Sequence, residues 1–354
     1  MYRQLVRAVL LTAGLLPFAA PSHAQYSLDL PRASPQARVM QRIGLTQVTI
    51  NYSRPQVKGR KIWGGLEPYG KVWRAGADEN TTIEVSDPVM VEGKPLPKGI
   101  YGLHMIPGER DWTVIFSKNS TSWGSYTYDP AEDALRVSVK AQPAEHREVL
   151  TYDFETLTPE SATVTLRWEK IAVPFKVDVN VNEVVQVSLK NQLRNSPKWT
   201  WQGWDQAAGY LVSHKVALDD ALKYADESIS LEERFDNLIT KARVLDALEK
   251  KEQASAIRKQ AMVIGNPVQL HNYGRQLQSQ GQQEQAFEIF RTNIKRNPNH
   301  WLVHSEIARL ACAQSRYDDA VKEMKLSVAG APAQFKPSME GLVKRLQAKE
   351  DINK

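Results

Sequence analysis

The sequence predicts a multidomain β + α chain, an antiparallel β-sandwich-like N-terminal domain followed by an all-α repeat solenoid. From Val39 to Val181 apolar residues mostly alternate with polar ones, the period of half-buried strands. Between Gly274 and Pro332 the chain repeats itself at an offset of 34, which matches Gly274 with Ala308, Gly281 with Ser315, Ala286 with Ala320, Phe290 with Met324 and Pro298 with Pro332. One period gives way to the other near Asn182. From there Val184, Val185, Ser188, Leu189 and Leu193 follow helical spacing, until Asn195-Ser196-Pro197 ends the helix.

The N-terminus has the three zones of a secretory signal: Arg3 and Arg7, an apolar run from Ala8 to Ala20, and Ser22-His23-Ala24 as a small-residue cleavage site. Residues 1–24 are therefore expected to be removed on export, which predicts a periplasmic or secreted protein. The apolar run is shorter than the roughly 18 residues of a membrane span, and no later stretch approaches that length. Removing Arg3 and Arg7 lowers the formal charge from +6 to +4. That charge is mild and dispersed, which argues against nucleic acid as a partner. The single cysteine, Cys312, excludes an internal disulfide framework, so stability must come from cores.

Residues 25–181 form the expected β domain. Val48-Ile50-Tyr52, Ile83-Val85, Val89-Val91, Trp112-Val114-Phe116, Leu135-Val137-Val139, Val164-Leu166-Trp168 and Phe175-Val177-Val179 carry the alternation. Asp87-Pro88, Glu92-Gly93, Pro97-Lys98-Gly99, Pro107-Gly108, Asp129-Pro130 and Thr158-Pro159 punctuate it, as turns between short strands do. Residues 182–203 read as a linker helix and loop, and residues 204–348 as the array. Its offset is the tetratricopeptide period: two antiparallel helices per unit, small residues where helices touch and a proline at the end of each unit. Trp204, Gly209, Ala217, Ala221 and Ala225 fit the same template, and Leu238 to Pro267 fits it loosely, giving four hairpins. Met339 to Ala348 reads as a capping helix. Arrays of this kind present a concave surface to another chain, so a protein or peptide partner is expected, with Asn272, Tyr273, Arg275, Gln276, His304, Glu306 and Arg309 as groove positions. In the bland alternative these residues are solvated and the array packs on the β domain.

The densest polar information runs from Asn51 to Thr82. Tyr52, Trp63, Tyr69 and Trp73 alternate there with Arg54, Lys58, Arg60, Lys61, Lys71 and Arg74, followed by Asp78-Glu79-Asn80-Thr81-Thr82. With Tyr101-Gly102-Leu103-His104, Ile106-Pro107-Gly108, Trp123-Gly124, Tyr126, Tyr128 and Val173-Pro174-Phe175, this stretch resembles the secreted bacterial family catalogued as domain of unknown function 2911. The resemblance spans about residues 31–179. It implies export and, through members with appended tetratricopeptide repeats, the same two-part layout. It implies no activity.

Aromatic faces and cations in one stretch can line a cleft for a small molecule or glycan. Arg54, Lys58, Arg60, Trp63, Arg74, Asp78, Glu79, Asn80, Thr81, Trp123, Tyr126 and Tyr128 are the candidate ligand-binding residues. The competing structural readings are that the tryptophans are core, that Lys58, Arg60 and Lys61 form a solvated hairpin, and that Arg74 and Glu79 form a salt bridge. Gly65-Leu66-Glu67-Pro68-Tyr69-Gly70-Lys71 fits a phosphate-loop pattern but is followed by Val72, which has no hydroxyl for magnesium. His300 and His304 share a helix face, yet nothing completes a metal site. No metal or other cofactor is expected.

Three functions remain. The first is an exported binding adaptor. The second is an envelope enzyme with hydrolase-like acid–base chemistry in a cleft of Arg74, Glu79 and His104, where His104 or Glu79 moves the proton and Arg74 stabilises an anion. The third is an envelope scaffold without a ligand.

Overall fold

A computed structural model describes residues 30–353. The expected signal peptide, residues 1–24, lies outside the described residues. Ten strands form two antiparallel sheets. The larger has six strands in the order β1 (Gln36–Ile43), β2 (Thr46–Ser53), β3 (Thr82–Val85), β6 (Gly99–Ile106), β7 (Asp111–Ser117) and β8 (Asp133–Lys140). The smaller runs β5 (Lys94–Leu96), β4 (Val89–Val91), β10 (Ser161–Asp178) and β9 (Gln142–Glu155).

The alternating residues face one shared core. Val48, Ile50, Ile83, Leu103, Val114 and Phe116 from the first sheet meet Leu150, Val164, Leu166, Val173, Phe175 and Val177 from the second. Four tryptophans are buried in it. The Trp63 ring sits 4.9 Å from Trp112, 5.6 Å from Trp73 and 5.7 Å from Trp168, each edge to face. Such pairs add about 0.5–1.5 kcal/mol each beyond area burial. The apolar runs at Val164–Trp168 and Phe175–Val179 belong to one long strand, β10, whose pairing with β9 shifts register around Glu169, a residue at φ 55°. A bulge of this kind lets one strand change direction without leaving the sheet.

Helix α1 (Val181–Gln192) follows β10 directly, capped by Asn180, whose side chain accepts from the Glu183 amide. Its Val181 and Val184 pack on the β core, while Leu189 packs on the first helical hairpin. Tyr210, in the helix that follows, donates to Asn182 Oδ1 at 3.0 Å. α1 thus joins the two cores.

The array consists of four antiparallel hairpins: α2 (Trp201–His214) with α3 (Leu218–Leu231), α4 (Phe235–Ala247) with α5 (Lys251–Ile264), α6 (Pro267–Ser279) with α7 (Gln283–Arg296), and α8 (Trp301–Ala313) with α9 (Tyr317–Gly330). α10 (Lys336–Gln347) packs on α9. The small residues at the matched positions have a steric cause: a Cβ on Gly274 would run into the Phe290 ring, while Ala308 and Met324, the matched pair, are both fully buried. The first helix of every hairpin ends at a left-handed residue, Lys215 (φ 54°), Glu249 (φ 62°), Gly281 (φ 77°) and Ser315 (φ 59°). Lys349 (φ 59°) takes the same conformation after α10, so α10 ends as the inner helices do.

Candidate functional site

The polar stretch after β2 leaves the sheet as a long loop that returns at β3, and its residues go to three different places. The first is a cleft of about 400 Å³ lined by Pro55, Gln56, Lys58, Arg60, Leu66, Glu67, Arg74, Asp78 and Trp168. Three of the loop's non-glycine residues are left-handed, Lys58 (φ 47°), Ala75 (φ 50°) and Asp78 (φ 58°). Such conformations cost energy for residues with a Cβ and persist only where the surroundings impose them. Here the surroundings are explicit. The Lys58 amide donates to Glu148 Oε1 at 2.8 Å, and the Ala75 carbonyl accepts from both Thr81 Oγ1 (3.1 Å) and the buried Tyr152 hydroxyl (2.9 Å).

Within this cleft the charges are unevenly satisfied. Arg60 donates through Nε to the Val57 carbonyl at 3.0 Å and through Nη2 to the Gln56 carbonyl. Arg74 Nε and Trp168 Nε1 are buried without a hydrogen-bond partner. Burial pushes the Glu67 carboxyl up to about 7, although Arg74 and Arg60 pull against it. Near neutrality this site therefore holds fixed cations beside an acid that is only partly ionised.

Glu79 goes elsewhere. It pairs with Arg32 at 2.5 Å, which holds its carboxyl below the usual range, and it lines a separate recess of about 320 Å³ with Gln36, Arg38, Asn51 and Asn80. The Arg74–Glu79 salt bridge considered from sequence is replaced by Arg32–Glu79. His104 lines neither space. It is buried, its Nδ1 lies 2.9 Å from Ser125 Oγ, its ring is tilted against Tyr128 at 5.3 Å, and burial drives it down to about 4. Arg74, Glu79 and His104 thus share no cleft: the chain turns over at Asp78, which leaves Arg74 and Glu79 in different recesses, and His104 on β6 is buried against Ser125 and Tyr128.

The remaining candidates divide between scaffold and surface. Trp63 is core, not cleft. Arg54 Nε donates to the Leu150 carbonyl at 3.0 Å and ties the loop to β9. Asn80 and Thr81 are buried pins, bonded to the Asn119 and Ala75 carbonyls. Tyr128 donates to Asp133 at 2.8 Å and accepts from Arg136, whereas Trp123 and Tyr126 are exposed on the neighbouring loop. Gly65 to Lys71 forms turns and no helix follows it, so the phosphate-loop pattern has no structural counterpart. A larger groove of about 630 Å³ lies over β10 and β8, where two of its charged residues, Arg167 and Glu155, are joined at 2.9 Å.

On the array, Asn272, Tyr273 and Gln276 line an inner-face recess of about 290 Å³ with Asp205, Asp236, Thr240 and Arg243 from α2 and α4. Tyr273 is mostly buried there, edge-on to Phe235. Beyond it the inner face is occupied. After Lys349 the chain folds back across α8 towards α6, and Ile352 is buried in the last core cluster. Arg309 donates through Nη1 to the Ile352 carbonyl, the Arg309 carbonyl accepts from Asn353 Nδ2 at 3.0 Å, and Gln278 Nε2 donates to Asn353 Oδ1 at 2.9 Å. Arg309 is buried under this tail, which lowers its pKa to about 9, and Arg275 donates to Gln278 beside it. Glu306 is wholly buried, bonded by Asn293 Nδ2 at 2.7 Å. Arg309 and Glu306 are therefore not open groove residues, because the tail and the α6–α8 packing cover them.

His304 lies 2.8 Å from Glu323 and His300 caps α8, so the two share no ligand geometry. Among the described residues no three His, Cys, Asp or Glu side chains gather as a metal site, and no helix is long and apolar enough to cross a membrane. Glu67 and Asn353 were missed by sequence reasoning. Glu67 sat inside the discounted phosphate-loop pattern, and Asn353 lay past the last repeat.

Residues 34–177 match the family described as "Protein of unknown function (DUF2911)". That region is the two-sheet domain, so the resemblance carried by the Asn51–Thr82 stretch holds. The array follows it as helical hairpins. Among solved structures the chain is similar to YrrB, described as "a TPR protein with an unusual peptide-binding site", at 14% identity and a TM-score of 0.27, over 47% of this chain and 86% of that one. No curated protein matches.

Proposed function

We propose that the protein is an exported binding adaptor whose repeat array holds a peptide segment on its inner face, with a β domain that contributes a small-molecule cleft. One observation carries the peptide reading: the inner face already holds a short non-helical segment, the chain's own residues Glu350 to Asn353, through a buried isoleucine and an asparagine hydrogen-bonded on both sides of its amide. Side-chain amides and guanidinium groups that meet a backbone carbonyl are the recognition chemistry such grooves use. The recess of Asp205, Thr240, Asn272 and Gln276 continues that surface with further polar groups. Export rests on the charged, apolar and small-residue zones before Gln25.

The test is competition by the tail. A chain ending at Ala348 should bind a labelled peptide of residues 349–354 added in trans, and the full chain should not, because its own tail has the higher effective concentration. Arg309→Ala in the shortened chain should weaken that binding about tenfold or more, the scale of a hydrogen bond from a charged group. A shortened, folded chain that ignores the peptide removes the reading. Amino-terminal sequencing of protein recovered outside the cytoplasm tests export, and an intact Met1 there would remove it.

A further inference from the structure

We propose that the cleft between the Asn51–Thr82 loop and Trp168 binds a small zwitterion of amino-acid to dipeptide size, with its carboxylate on Arg74 and its ammonium facing Glu67 and Asp78. The inference rests on the reading of the β domain as a ligand module and is independent of the array.

Three observations converge on this place. The first is unsatisfied polarity: Arg74 Nε and Trp168 Nε1 are buried with no hydrogen-bond partner, and both residues line the cleft. A buried donor without a partner costs about 1–3 kcal/mol, more for a charged group, so two in one lining mark a place where an acceptor from outside belongs. The second is strain, since Lys58, Ala75 and Asp78 are all left-handed without being glycine, and two of the three side chains line this cleft. The third is size, because about 400 Å³ falls within the range of small-molecule sites.

The charge pattern selects the ligand class. Lys58, Arg60 and Arg74 face Glu67 and Asp78 across the same space. A phosphate dianion would satisfy the cations but would press against two carboxyl groups, whereas a neutral sugar could accept from Arg74 but would bring it no counter-charge. A monoanionic carboxylate suits the planar donor fork of arginine. An ammonium beside it gives Glu67 and Asp78 a donor. Glu67, which burial holds near half ionisation, gains its charge when that cation arrives. Leu66, exposed at the rim, offers an apolar contact for a short side chain.

The experiment is calorimetric titration of the full-length protein with L-alanyl-L-alanine, its C-terminal amide, its N-acetyl derivative, inorganic phosphate and glucose. The dipeptide should bind, and the amide and the N-acetyl derivative should each bind at least about tenfold more weakly, as expected for loss of one charge-assisted contact. Arg74→Gln should weaken the dipeptide similarly with the circular dichroism spectrum unchanged. Should that variant fail to fold, Glu67→Gln replaces it and should erase the difference between the dipeptide and its N-acetyl form. Asn272→Ala in the array should leave dipeptide binding intact. An amide as tight as the acid, phosphate tighter than the dipeptide, or loss of binding in Asn272→Ala overturns the assignment. Glucose binding in preference to the dipeptide overturns the zwitterion while keeping the β domain a ligand module, and binding of none of the five probes removes both.

Discussion

Glu306 Oε1 lies 3.1 Å from His271 Nδ1, yet the two do not form an ion pair at neutral pH. Burial raises the Glu306 carboxyl to about 8, against a hydrogen bond from Asn293 and the attraction of Arg309. Burial also lowers His271 to about 3, helped by Arg309, Arg275 and His300. The distance says salt bridge and the environment says two neutral groups. The environment decides, because no water reaches Glu306 to solvate the charges.

A pH dependence follows from the signs. Folding favours the protonated form of Glu306, so its contribution is complete below its ordinary value of 4.5 and is lost as pH rises towards 8. Folding favours neutral His271, so its contribution is complete above 6.5 and is lost as pH falls towards 3. Between 4.5 and 6.5 the two slopes oppose, and from 6.5 to 8 only the glutamate's remains. Urea midpoints measured over that upper window should fall with pH in the wild type and fall less in Glu306→Gln, which keeps the carbonyl that Asn293 bonds. Identical slopes in the two proteins would falsify the assignment of a protonated Glu306.

Gly274→Ala should destabilise the array by about 1–3 kcal/mol, the usual cost of overpacking, because the new methyl group meets the buried Phe290 ring. Gly341→Ala is the control. That helical glycine has nothing within 4 Å of a built Cβ, so the change should be neutral or stabilise by up to about 1 kcal/mol through helix propensity. Thermal unfolding of the two variants, compared with wild type, should move in these different directions.

What the sequence made legible was whatever obeys a period. Val48, Ile50, Ile83 and Val114 announced strands by alternation, and Gly274, Ala308, Phe290 and Met324 announced hairpins by recurrence, because packing forces each of those spacings. β9 was not read, since Gln142-Pro143-Ala144-Glu145-His146-Arg147-Glu148 lies at an edge of its sheet and is mostly exposed. The candidate site was half legible. Arg74, Lys58 and Asp78 were found by composition, but which of their neighbours share a side depends on left-handed turns at Lys58, Ala75 and Asp78, and side-chain chemistry alone does not reveal these. Glu79 parted from Arg74 for that reason, and His104 because its strand buries it against Ser125 and Tyr128. The tail escaped because Glu350-Asp351-Ile352-Asn353 has no periodicity at all, and its role is set by Arg309 and Gln278, distant in sequence.

The tail also makes a stability prediction separate from peptide binding. Ile352 is buried in the cluster of Met324, Met339 and Leu346, so Ile352→Ala should cost about 2–5 kcal/mol of array stability. Asn353→Ala leaves the Arg309 carbonyl and the Gln278 amide without their partner and should cost about 1–3 kcal/mol. Chemical denaturation followed by helical circular dichroism measures both. A loss below about 0.5 kcal/mol for each, the range of ordinary surface changes, would mean that the tail is not seated in solution.

The last prediction concerns α1. Val181 and Val184 pack on the β core, and Gly44, at φ 57°, has Val181 Cγ1 2.7 Å from where its Cβ would lie. α1 is therefore continuous with the β domain although its period is helical. A β fragment of residues 30–192 should accordingly be more stable than one of residues 30–178, by less than the roughly 1.5–3 kcal/mol of a fully buried side chain for each of these half-buried valines. Val184→Asp in the longer fragment should remove most of that difference, because it places a charge against the apolar sheet. Equal urea midpoints for the two fragments would instead make α1 the first element of the array and move the boundary back to Asp178.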